Sequence, residues 1–149
     1  MHTLNHIGYL LMKTAKELRY DLSSSLEKYG ITSAQWAVLK QLEWGSENEK
    51  LRLKQTSSFL ADELGFDKPT MSGIVSRLEK NGWVTRTEHP MDRRATILTL
   101  TKKAHNNLPF FEKKSEEVMK QFLRPYSEEE KYALLQLLEK QIKRGDHDD

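Results

Sequence analysis

Residues 60 to 101 read LADELGFDKPTMSGIVSRLEKNGWVTRTEHPMDRRATILTLT. Two helical patterns lie within a few residues of each other here, and the second gives way to a period of two. Thr56 can cap a short helix through SSFLADEL that Gly65 ends. Asp67 can cap the next helix, with Pro69 in its first turn, Phe66 and Met71 at the staple positions and Gly82 closing it. Two short helices joined by so tight a turn predict a helix-turn-helix. WVTRTE and ATILTL are then rich in β-branched residues and flank HPMDRR, which predicts a hairpin with those six residues at its tip. A hairpin in that place is a wing following a recognition helix.

On the helix from Lys68 to Asn81, Met71, Ile74, Val75 and Leu78 make one apolar stripe. At 100° per residue the opposite face centres on Pro69, Gly73, Ser76 and Lys80, flanked by Thr70, Ser72 and Arg77. Small and hydroxyl-bearing side chains suit a helix pressed into a DNA major groove, and Arg77 and Lys80 would then reach phosphates. A mid-helix glycine costs about 1 kcal/mol relative to alanine. Gly73 is therefore expected to serve close approach to a base pair, the alternative being a glycine merely tolerated.

At the hairpin tip, Arg93 and Arg94 would lie beside the duplex, where a narrow minor groove accepts a guanidinium. Asp92 would be repelled there, so it is expected to hold an arginine in a fixed fork, with Arg94 and Arg77 both candidates. Seen alone, DRR is an ordinary solvated turn, and only the preceding helix-turn-helix favours the DNA reading. Lys68 at the helix start and Arg86 on the outgoing strand complete the expected DNA-binding set. Lys68 to Lys103 carries a net +5, which leaves −3 for the rest of a chain whose net charge is +2; this suggests a local polyanion-binding surface, with an ordinary solvated charged face the equal alternative.

Outward from this centre, 149 residues suffice for a single domain with a real core. Leu4, Ile7, Leu11, Ala15, Leu18, Leu22, Leu26 and Tyr29 predict a first helix that Gly30 stops. Thr32 and Gln35 have capping-box spacing, so a second helix starts near Ser33 and runs to about Trp44. GSENEKLRLKQ, residues 45 to 55, reads as a polar loop with a short edge strand through Leu51 and Leu53. Thr101 can cap a long helix that Pro109 is expected to kink early, and Ser127 and Glu130 form a second capping box before the last. The apolar residues of these terminal helices, Phe110, Met119 and Phe122 among them, exceed what the small winged core can cover, which predicts a homodimer over intramolecular packing alone.

The absence of cysteine excludes disulfides, thiolate metal sites and a cysteine nucleophile or redox switch. No apolar run approaches the roughly 20 residues that cross a bilayer. Charged residues interrupt the N-terminal region, so no signal peptide is read and a cytoplasmic protein is expected. The histidines are scattered, with no glycine-rich phosphate loop, metalloprotease pair or serine elbow, so no enzyme and no cofactor are expected.

LADELG, TMSGIVSRLEKNGWV and DRRATILTLT, together covering about residues 56 to 103, resemble the winged helix-turn-helix core of the MarR family of bacterial transcription regulators. The order of the flanking helices extends the resemblance over nearly the whole chain. It implies a mainly α fold with a small β-hairpin wing: residues 33–103 as the winged DNA-binding part, and 1–31 with 102–144 as dimerisation helices. It further implies a homodimer on a pseudo-palindromic double-stranded operator, Arg94 as the minor-groove arginine, Asp92 as its positioning partner, and Thr70, Ser72, Gly73, Ser76 and Arg77 as the reading face. Repression relieved by a small-molecule effector is the function implied, with a pocket between the first, second and fifth helices that Tyr9, Met12 and Trp36 could line. Two alternatives stay open. One is a metal-responsive sensor using His2 and His6, or His147 with Asp146, Asp148 and Asp149; the other is an architectural DNA binder without an effector.

Overall fold

Side-chain caps set where the helices begin in the computed structural model, which describes residues 3–145. Helix α1 (Thr3–Leu26) passes into a 3-10 turn (Glu27–Tyr29), and Gly30 ends it at φ 77°, a left-handed conformation that glycine adopts without strain. Helix α2 (Ser33–Gly45) opens on the expected capping box: Thr32 Oγ1 accepts from the Gln35 amide while Gln35 Oε1 accepts from that of Thr32. Thr56 caps α4 (Ser57–Leu64), Asp67 caps α5 (Lys68–Lys80), and Thr101 caps α6 (Lys102–Phe122). Reciprocal Ser127 and Glu130 bonds open α7 (Glu128–Gly145). Helix α6 continues across Pro109.

Residues 45–55 depart from expectation. No edge strand runs through Leu51 and Leu53. Asn48 instead accepts from the Leu51 amide and starts a one-turn helix, α3 (Glu49–Arg52), with Arg52 paired to Glu49 within it. Asparagine is a preferred helix cap, and this local bond outcompetes the weak β signal of two leucines. The segment does reach the sheet, one turn later: the Gln55 carbonyl accepts from the Leu98 amide at 2.9 Å.

Strands β1 (Val84–His89) and β2 (Asp92–Leu100) form an antiparallel hairpin in which Val84 faces Leu100 and Glu88 faces Thr96. Strand pairing therefore runs further than the sequence indicates, and the turn shrinks from six residues to Pro90 and Met91. The register slips between Glu88 and His89. His89 pairs with Asp92, which leaves Arg93, Arg94 and Ala95 bulged between two pairs.

One core joins these parts. Leu26, Ile31, Leu39, Leu60, Met71, Leu78 and Leu98 are fully or almost fully buried within it. Phe111 docks α6 onto the winged part, with its ring 5.5 Å from that of Trp83 and 6.3 Å from that of Trp36, both edge-on. Lys40 of α2 adds an ion pair to Glu112 of α6. Among the described residues, helix α7 makes no extensive contact with any other element of its own chain.

Candidate nucleic-acid interface

Helix α5 divides as its spacing requires: Met71, Ile74, Val75 and Leu78 are buried, while Pro69, Thr70, Ser72, Gly73, Ser76, Arg77 and Lys80 are exposed. The buried stripe fixes the rotation of the helix, so the opposite face has only one direction to present. A Cβ built on Gly73 would meet nothing within 4 Å. No neighbour in the chain therefore demands a glycine there.

The N-terminus of α5 is held firmly. Asp67 Oδ1 accepts from the Thr70 amide at 2.7 Å. That amide, and then the Thr70 hydroxyl, keep the Asp67 carboxyl below the usual aspartate range. Lys68 reaches back to α4, where its Nζ donates to Ser58 Oγ at 2.6 Å and lies 3.5 Å from an Asp62 oxygen. Arg86 of β1 pairs with Glu79 of α5 at 3.3 Å, which ties the wing to the helix. Lys68 and Arg86, expected to contact DNA, are thus engaged within the chain. Their partners Ser58, Asp62 and Glu79 carry no signal in the sequence, because the turns that bring them close are tertiary.

Arg93 and Arg94 are exposed on the bulge. Asp92 behaves differently from the expected fork: its Oδ1 accepts from the backbone amide of Arg94 at 3.0 Å. Among the described residues no ion pair joins it to Arg94 or Arg77. The carboxylate fixes the arginine's main chain and leaves the guanidinium free. His89 acts in parallel on the other side of the turn, where its Nδ1 accepts from the Met91 amide at 3.0 Å. At the foot of the wing, the Thr101 hydroxyl donates to the Gly82 carbonyl at 2.6 Å. Lys103 caps the end of α5 by donating to Asn81 O at 2.7 Å while lying over the Trp83 ring.

The expected effector residues are not brought together. A cleft of about 520 Å³ lies between α1, α2 and the turn joining α4 to α5, lined in part by Leu18, Arg19, Leu22, Trp36 and Phe66. Trp36 belongs to it and is also part of the core. Tyr9 and Met12 do not: they are 55% and 69% exposed, and Met12 lies six residues before Leu18, about 9 Å along the helix axis. The cleft also replaces α6, the fifth helix foreseen from the sequence, with the helix-turn-helix turn. Among the described residues no group of three or more His, Asp or Glu could hold a metal ion. His2 and residues 146–149, part of the metal alternative, lie outside the described residues. Among the described residues no helix is long and apolar enough to cross a membrane.

Residues 31–96 match the MarR family. An uncharacterized HTH-type transcriptional regulator, YwoH of Bacillus subtilis, is 28% identical over 137 residues, 92% of this chain and 89% of the relative. The transcriptional repressor MprA of Escherichia coli is 32% identical over 99 residues, 66% of this chain and 53% of its own length. The fold of a MarR transcriptional regulator from Methanosarcina mazei superposes with a TM-score of 0.82 over 97% of this chain and 99% of that one, at 23% identity. With a capped helix-turn-helix, an exposed α5 face and an arginine-bearing wing, the chain is similar to the MarR family over residues 31–96 and is a winged helix-turn-helix, DNA-binding transcription regulator.

Proposed function

We propose that this regulator works as a homodimeric repressor. In each protomer α5 enters the major groove of one half-site, with Thr70, Ser72, Gly73, Ser76 and Arg77 as the reading face. The wing lays Arg94 in the adjacent minor groove, with Arg93 and Lys80 on phosphates. Residues 33–103 form the DNA-binding part, and 1–31 with 102–144 join the protomers. The observation that carries the reading is the exposed face of α5, where a Cβ on Gly73 would meet open space. Repression, here by occlusion of a promoter, is favoured by the likeness to the transcriptional repressor MprA of Escherichia coli.

Pairing of protomers is supported by the apolar stripes that the single chain leaves in water. Leu4, Ile7 and Leu11 of α1 and Leu135, Leu138 and Ile142 of α7 recur three or four residues apart, and each is at least 46% exposed. The cleft around Trp36 touches both α1 and the helix-turn-helix turn. A small molecule seated there would shift the winged part against the dimer helices, changing the distance between the two α5 helices and releasing the operator.

Selection of duplexes from a random pool tests the whole reading. The recovered sites should be pseudo-palindromic, with half-sites about one helical turn apart. Log affinity should fall by about 0.9 per phosphate contact for each log unit of salt. Asymmetric sites would exclude the dimer, and a flat salt response would exclude the phosphate contacts.

A further inference from the structure

Two backbone amides at the wing tip, those of Met91 in the turn and Arg94 in the bulge, are each taken by the side chain two residues earlier. One of those side chains, Asp92, has a role in the reading above. The other, His89, has none, yet its position is tightly prepared. It precedes Pro90, which confines the residue before it to extended backbone and fixes its own φ. The imidazole is thereby presented to the Met91 amide with little freedom left to lose. Accepting at Nδ1 requires the neutral ring with its proton on Nε2, because an imidazolium donates from both nitrogens.

The charged groups around it are Glu88 beside it on β1 and Asp92, Arg93 and Arg94 across the turn. From α5, Glu79 is engaged by Arg86, three residues earlier on β1. His89 is half-buried and the amide it holds belongs to a residue 84% exposed, so the turn has water, not core packing, as its alternative partner.

We propose that His89 is a positioning residue for operator binding. As a neutral imidazole it closes the wing turn and sets the direction of Arg93 and Arg94; protonation removes the acceptor and loosens the wing. Affinity should then be lower at pH 5.5 than at pH 8, because only a neutral imidazole accepts at Nδ1. A histidine that met phosphate directly would give the opposite sign. The inference rests on the wing reading above, and the experiment separates the two.

Affinity is measured at pH 8 and pH 5.5 for a duplex selected from a random pool by the wild-type chain, with wild type, Arg94→Ala, His89→Ala and His89→Asn. Asparagine keeps an acceptor for the amide two residues on and does not titrate. His89→Ala should weaken binding roughly three- to ten-fold at pH 8, the weight of one hydrogen bond. His89→Asn should restore most of that loss and remove the drop on acidification, and Arg94→Ala should weaken binding at both values. If Arg94→Ala weakens binding while His89→Ala binds as wild type, the positioning role fails and the wing stands. If Arg94→Ala binds as wild type, both fail. Binding that tightens on acidification in wild type and not in His89→Asn would make His89 a phosphate contact and overturn the proposal.

Discussion

Gly73 is the residue at which stability and binding are most cleanly opposed. A Cβ there finds open space and the backbone is helical. Gly73→Ala should therefore stabilise the fold by about 0.5–1 kcal/mol, through helix propensity and a less disordered unfolded chain. In the proposed reading the same methyl group would stand where the helix meets the floor of the groove, so affinity for the selected duplex should fall. Urea denaturation and a binding titration on one preparation check both signs. A stabilised variant with undiminished affinity would show that Gly73 does not approach a base pair.

Asp67 supports a pH prediction at the same scale. Its folded carboxyl titrates below the ordinary aspartate value, about 3.9, because it accepts from the Thr70 amide and hydroxyl. The stability it contributes is fully present above that value and is lost as pH falls through the lowered folded one. Asp67→Asn keeps a good cap without the titration. The variant should match wild type near pH 7 and lose less stability than wild type between pH 4 and pH 2. Parallel loss in the two proteins would remove Asp67 from the acid limb.

Among the elements, the segment from Gly45 to Gln55 is positioned by packing. Gln55 is 1% exposed, its Nε2 donates to Leu51 O, and its own carbonyl holds Leu98 of β2. A Cβ on Gly45 would stand 2.5 Å from the buried Gln55 side chain, so something must shift. Gly45→Ala should destabilise the protein by about 1–3 kcal/mol, as overpacking does. The double variant Gly45→Ala, Gln55→Ala should recover part of that loss. Denaturation of the two single variants and the double variant measures the coupling, and simple additivity would show that the two residues do not meet.

At the scale of the whole molecule, α7 is the element a single chain does least to explain. Most helical stability in a protein comes from packing of an amphipathic face, and among the described residues α7 makes no extensive contact with another element of its own chain. Leu138→Glu should shift the protein to monomers in sedimentation while leaving the winged core folded by circular dichroism. In the proposed dimer two linked half-site contacts would then be reduced to one, so affinity for the symmetric duplex should fall by about a hundredfold or more. A dimer that survives the charge would place the interface elsewhere.

What the sequence by itself determined is local. Thr32 with Gln35, Thr56, Asp67, Thr101 and Ser127 with Glu130 mark helix starts, because each cap bond closes within three residues. The stripe through Met71, Ile74, Val75 and Leu78 named the core side of α5, and by subtraction its exposed side, because helical period alone orients them. The tertiary structure decided what depends on contacts distant in the chain or on backbone register. It gave Asp92 an amide in place of a guanidinium, because the bulge leaves the Arg94 N–H outside the strand pairing and within reach of the carboxylate. It set Trp36 beside Leu18 and Phe66 and left Tyr9 and Met12 in water, since the cleft forms where α1 meets the helix-turn-helix turn. It also decided that one alanine substitution would meet open space and the other a buried side chain, since Gly73 and Gly45 differ in what the fold places beside them.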